Sequence, residues 1–189
     1  MNILVLSASN IGKRTKTATE ALFQTLKREY DGEHSLKSIN LQDMDIQFSD
    51  GRNYLDYQGD TAEVTQAIMA SDVIFIGTPI FQASIPASLT NIFDLLPQNA
   101  LQFKTVALIV TAGSEKHFMI PEMHLKPILA YMKANIVPNY VFLLDNEILG
   151  EEITSDDVHF RIDTLIEDTM ILAETYQEVW QKQEDSYGF

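Results

Sequence analysis

Lys13, Arg14 and Lys16 stand within four residues of one another, and the hydroxyls of Ser7, Ser9, Thr15 and Thr17 surround them. Cations mixed with hydroxyl donors suit an anion. The segment lies between an apolar run, Ile3 to Leu6, and a stretch of helical periodicity. It therefore falls at a helix start, where unpaired N–H groups and the helix dipole already favour negative charge. Basic side chains there oppose the dipole, and they become favourable when a phosphate sits among them. The competing reading is a solvated loop in which Ser or Thr caps the helix. The segment fits neither GxGxxG nor GxxxxGK[ST], so a dinucleotide fingerprint and a Walker loop are both excluded. A terminal monophosphate suits a hydroxyl-rich loop better.

Two further segments could complete a site. Gly77-Thr78-Pro79-Ile80-Phe81-Gln82-Ala83-Ser84 breaks an apolar run sharply and leaves Phe81 on a loop. Phe81 is either a satellite core residue or a flat wall for a planar ring. Thr111-Ala112-Gly113-Ser114 follows another apolar run. Small residues at a strand end let a ligand approach the backbone, where amides can meet the carbonyls of a heterocycle. An ordinary strand-to-helix turn is the alternative. His117 reads as an exposed loop residue, and His34, His124 and His159 as structural or surface residues. No His/Asp/Glu spacing suggests a metal.

These segments need elements to position them. Ile3–Ser7, Asp72–Gly77, Thr105–Thr111 and Val137–Leu144 are continuous apolar runs, the mark of parallel strands covered on both faces. Ser35–Leu41 alternates and reads as an edge strand. Helical stripes run through Ala18–Leu26, from Asp60 to Ser71, through Leu89–Leu96 with Pro86 in the first turn, through Leu125–Met132, and along Val158–Trp180. Strand and helix thus alternate about five times, which predicts a doubly wound α/β fold with right-handed crossovers. We expect a five-stranded parallel sheet in flavodoxin-like order 2-1-3-4-5, with helices on both faces. Residues 42–59 form a long connection, a class usually functional or mobile. In this architecture ligands gather beyond the carboxyl ends of the strands. A phosphate grip, an aromatic wall and an amide rim meeting there describe a pocket for a planar ring with one phosphate tail, and FMN is the obvious candidate.

Composition narrows the function. The chain has 189 residues, consistent with one domain over 1–189, and no cysteine. That excludes thiol nucleophiles, disulfides and iron–sulfur clusters. A net charge of −14 argues against nucleic acid and anionic membranes as partners. Thirteen acids and only two bases fall after residue 144, so the acidity belongs mainly to the final helix and its approach. The N-terminus lacks a basic region and a signal-peptide apolar segment, and nothing approaches a membrane span, so a cytoplasmic protein is expected.

The three segments, with Ile85 to Pro97 and His124 to Leu129, resemble the NADPH-dependent FMN reductase family. The similarity runs from Met1 to the final helix. It is most like the branch that supplies reduced FMN to alkanesulfonate monooxygenases. The resemblance implies that Ser9, Arg14, Thr15, Lys16 and Thr17 hold the FMN phosphate. It implies that Pro79, Ile80, Phe81 and Gln82 line the isoalloxazine and ribityl, with Ser84 at the same rim. Thr111, Ala112, Gly113 and Ser114 would run along the ring's polar edge. The family often has Gly where Ala8 stands, Arg where Ile11 stands and Tyr where Phe81 stands, and its branch can carry an aromatic where Met123 stands.

The implied reaction is hydride transfer from NADPH or NADH to flavin N5, with no residue nominated as general acid or base. A small-molecule acceptor or a flavin-dependent monooxygenase would take the electrons, and a homodimer or homotetramer is expected. The methionines at 69, 119, 123, 132 and 170 read as core or subunit packing. Rival readings on the same fold are a quinone or azo-compound reductase and a flavodoxin-type electron carrier. A phosphoacceptor signalling domain is excluded, because no Asp stands at the ends of the first and central strands.

Overall fold

Residues 1–186 are described by a computed structural model; 187–189, counted above in the one domain, lie outside the described residues. The apolar runs form central strands because both sheet faces are covered. Strands β1 (Asn2–Ser7), β3 (Val73–Pro79) and β4 (Thr105–Ala112) lie side by side and parallel. Their side chains alternate between two cores. Leu4, Leu6, Ile74, Ile76, Val106 and Leu108 face one; Ile3, Val5, Val73, Phe75, Ala107 and Ile109 face the other. Strand β2 (Ser35–Asn40) pairs with β1 alone, as an edge strand should.

The fifth position differs from expectation. Val137–Leu144 is not one strand. Two short pieces, β5 (Asn135–Ile136) and β6 (Val141–Leu144), both pair with β4. Pro138 lies between them and has no N–H to give the ladder. The overall order is β2-β1-β3-β4-β5, all parallel, which is the doubly wound order expected.

Helices α1 (Arg14–Tyr30) and α5 (Asp156–Ser186) cover one face; α2 (Gly59–Ala70), α3 (Ala87–Leu95) and α4 (Lys126–Tyr131) cover the other. Pro86 is the N-cap of α3, in extended backbone, and not a first-turn residue. Helix α5 buries Val158, Ile162, Leu165, Ile166 and Ala173, but Val179, expected on that stripe, is 58% exposed. A helix of this length spans about 46 Å, well past strands of about 26 Å, so its last turns outrun the sheet. A single turn of π-helix, Pro121–Leu125, precedes α4.

Residues 42–58 are pinned by side chains. The N–H groups of Asp45, Gln47 and Ser49 donate to Asp60, Thr61 and Asn91 at 2.8, 2.9 and 2.9 Å. Asn91 donates back to the Gln47 carbonyl at 2.9 Å. The long connection is thus a strap along α2 and α3. A small antiparallel hairpin, β7 (Ile148–Leu149) and β8 (Glu152–Ile153), was not anticipated. Two-residue strands carry too little periodicity to read.

One contact sets how α1 sits. A Cβ on Gly77 would lie 2.1 Å from Thr19 Cγ2. Only glycine lets the helix approach β3 this closely, and α1 carries the cations.

Candidate functional site

Parallel strands all end on one side, so the segments after β1, β3, β4 and β6 converge. They bound a cleft of about 490 Å³. Helix α1 begins at its edge. Lys13 is the N-cap residue, no side chain caps the helix, and its first turn carries no acid. The Thr17 N–H reaches the Lys13 carbonyl at 2.8 Å, which leaves the N–H groups of Arg14, Thr15 and Lys16 without an intrahelical acceptor. The competing reading, a Ser or Thr cap, is not what the helix start shows; it is uncapped and faces the cleft.

Each cation of this loop has a carboxylate partner from another segment. Arg14 pairs with Asp145 at 2.8 Å and Lys16 with Asp43 at 3.1 Å. Lys13 pairs with Glu151 in the β7–β8 turn. The hydrogen bond from Lys13 holds the Glu151 carboxyl below the usual range and raises the Lys13 ammonium in turn. Hydrogen bonds from Asn40 and then Lys16 do the same for Asp43. Both acids are ionised at neutral pH.

The wall is a tight hairpin tip. Phe81 and Ser84 exchange both backbone hydrogen bonds at 2.9 Å. Gln82 and Ala83 between them have φ of 51° and 55°. Neither is glycine, and left-handed backbone costs about 1–2 kcal/mol per such residue. The turn leaves Phe81 38% exposed at the cleft. The rim beside it is Thr111, Ala112 and Gly113, joined to the wall where the Ile80 N–H donates to the Thr111 carbonyl at 3.0 Å. A Cβ on Gly113 would come within 3.4 Å of the Asp145 carboxylate. Thr15 and Thr111, both buried, share a hydroxyl hydrogen bond at 2.8 Å that ties α1 to β4.

The cleft thus gathers Arg14, Thr15, Pro79, Ile80, Phe81, Thr111, Ala112 and Gly113 from the expected set. The others stand at its margins. Ser9 is buried and donates to the Ile11 carbonyl at 2.7 Å, shaping the loop from below. Lys16 and Thr17 line a neighbouring cleft of about 440 Å³ on the outer side of α1, which Lys13 also borders. Gln82 is outside the lining, and Ser84 Oγ lies 3.1 Å from His124 Nδ1. His124, read as structural or surface, thereby supports the hairpin tip. Ser114 accepts the Lys116 N–H at 3.3 Å and caps the turn Glu115–His117.

Sequence reasoning missed Ile11, Gly12, Asp145 and Gly150, and saw Lys13 only as one of the cations. A signal for Asp145 existed. It follows β6 immediately, at the same strand end that located the other segments.

This winding, with a cleft beyond the strand ends, defines the flavodoxin-like class. An archaeal flavodoxin structure superposes with a TM-score of 0.57 at 14% identity, over 94% of this chain and 99% of that one. The chain belongs to the NADPH-dependent FMN reductase family, matched over residues 1–148. It is 33% identical to an NAD(P)H-dependent FAD/FMN reductase of Geobacillus thermodenitrificans over 142 residues, 75% of this chain and 76% of that protein. It is 28% identical to the NADH-dependent FMN reductase SfnF of Pseudomonas fluorescens, over 79% of each. The apo structure of the NADH:FMN oxidoreductase EmoB shares the fold, with a TM-score of 0.70 at 23% identity over 92% of this chain and 89% of that one. The protein is an NAD(P)H-dependent FMN oxidoreductase.

Proposed function

We propose that the cleft takes FMN with its phosphate at the start of α1 and its ring between the Phe81 turn and the Thr111–Gly113 rim. The observation that carries this reading is a single cleft with an uncapped, cation-bearing helix start at one end and an aromatic beside small-residue amides at the other. The donor set fits the group: free helical N–H groups and a guanidinium for a phosphate, and a side-chain-free Gly113 beside a flat ring.

When bound, the flavin supplies the hydride acceptor. The chain binds and orients. Arg14 would hold the phosphate with its planar fork of donors, and Lys13 and Lys16 would add positive charge. Ser9 and Thr17 act from the loop's margins, and Thr15 together with Thr111 fixes where the helix start lies. Pro79, Ile80 and Phe81 form the wall; Gln82 and Ser84 set the tip that holds Phe81. Amides from Ala112 to Ser114 would face the ring's polar edge and favour negative charge there. Stacking of a nicotinamide at contact distance needs no protein acid or base.

The donor is NADPH or NADH, and the reduced flavin goes to a small acceptor or a flavin-dependent monooxygenase. The open cleft and exposed ion pairs support a flavin that exchanges. Self-association, as a dimer or tetramer, is supported by Phe118, Met119, Met123 and Tyr131, each at least half exposed along one segment. We place this single-domain enzyme in the cytoplasm, where reduced nicotinamide is regenerated. No helix among the described residues is long and apolar enough to cross a membrane.

The phosphate assignment is tested by binding. Arg14→Ala with Lys16→Ala should weaken FMN on the order of tenfold or more, and riboflavin little, because the lost contacts are charge-assisted. Equal loss for both flavins, read by fluorescence quenching, would overturn it.

A further inference from the structure

The cations that would hold a phosphate are not free of anions. This inference rests on the reading of the cleft as an FMN site. We propose that Asp145 is a built-in competitor for the flavin phosphate: its carboxylate shares Arg14 with the phosphate, lowers FMN affinity and keeps the flavin exchangeable.

Asp145 Oδ2 lies 2.8 Å from Arg14 Nη1. It is the first residue after β6 and lines the same cleft as Arg14. The other two loop cations are matched likewise, Lys16 by Asp43 and Lys13 by Glu151. Three positive charges thus meet three negative ones drawn from three different segments. A dianion arriving there is attracted far less than three unmatched cations would attract it. Asp145 differs from the other two acids in place. Asp43 and Glu151 border the outer cleft, whereas Asp145 lies beside the Gly113 rim, inside the cleft proposed for flavin.

Its strength suits competition rather than obstruction. The Arg14 and Asp145 side chains are 54% and 39% exposed. Ion pairs this exposed are weak, so a phosphate that takes the guanidinium through two oxygens can displace the carboxylate. When the flavin leaves, the carboxylate recaptures Arg14, and the pair offsets part of the lost interaction. The geometry also allows an opposite role, in which Asp145 merely holds Arg14 in place for the ligand. The two roles give opposite signs on removing the charge.

The test is Asp145→Asn, which keeps the shape and an oxygen acceptor for Arg14. FMN and riboflavin are titrated by fluorescence quenching at low and moderate salt. Competition predicts that the variant binds FMN roughly 3- to 5-fold more tightly than wild type and leaves riboflavin unchanged. It also predicts a steeper loss of FMN affinity with salt, since the loop now carries one unmatched cation. Unchanged or weaker FMN binding, or equal tightening of both flavins, overturns the proposal while leaving the flavin site intact. A wild type that binds neither flavin overturns the functional reading and this proposal together.

Discussion

Arg14 is where the account is most exposed to test at the scale of single residues. Its guanidinium stands at the start of α1, in contact with Asp145, at the mouth of the cleft. The phosphate of FMN gives up its second charge near pH 6. Asp43 and Glu151 do not follow it, because hydrogen bonds from Asn40 and Lys16, and from Lys13, hold both carboxyls below their usual range. The carboxylates that match Lys16 and Lys13 therefore keep their charge while the ligand's charge falls. FMN affinity should drop a few-fold as pH falls from 7 to 5, with riboflavin nearly flat across that range; parallel curves for the two flavins would contradict this. Most of the cleft was legible at this scale. Strand-end position and residue chemistry located Arg14, Phe81 and Gly113. Asp145 carried the same positional signal at the end of β6; its pairing with Arg14 did not, because that depends on which strand end adjoins α1, a matter of topology rather than local spacing.

Among elements, α1 and the strap give the sharpest expectations. Gly77→Ala pushes a methyl group into Thr19, which a Cβ would approach to 2.1 Å. It should destabilise the fold by about 1–3 kcal/mol, as overpacking does, and Thr19→Ser should recover part of that loss. Chemical denaturation of the single and double variants measures both. An additive pair would mean that α1 yields elsewhere. The strap hangs on Tyr57, which is buried and donates its hydroxyl to Asp50 at 2.9 Å while accepting the Asp50 N–H at 3.1 Å. Tyr57→Phe should cost about 1–2 kcal/mol in the same assay. The Arg52 guanidinium holds the Asp50 carboxyl well below the usual range. A depressed folded value contributes stability above the unfolded value, near 3.9, and loses it only as pH falls further. The tether should persist at pH 5.

The central strands were readable because burial on both faces gives β1, β3 and β4 continuous apolar stretches, Ile3–Leu6, Val73–Ile76 and Val106–Val110. The split of the fifth strand turned on one proline, and the strap's fixity on hydrogen bonds between residues 14 to 42 apart in sequence. Neither is visible in periodicity.

At the scale of the whole molecule, charge is divided. The net −14 is concentrated after residue 144, where thirteen acids face two bases, while the loop before α1 keeps Lys13, Arg14 and Lys16 together. Exposed apolar side chains are spread over several elements, Phe48 and Phe160 among them, but Phe118, Met119, Met123 and Tyr131 fall along one segment. If this segment is a subunit interface, Phe118→Ser with Met123→Ser should lower the mass seen by light scattering toward that of one chain; an unchanged mass would place the interface elsewhere. The central claim is that this cleft brings FMN and a reduced nicotinamide together. Purified protein mixed without oxygen with NADPH or NADH and a small amount of FMN tests it directly. The account predicts rapid loss of the flavin's yellow absorbance, faster than in a protein-free control and greatly slowed in the Arg14→Ala, Lys16→Ala variant. FMN that stays yellow with both nucleotides, or a variant as fast as wild type at limiting FMN, would contradict it.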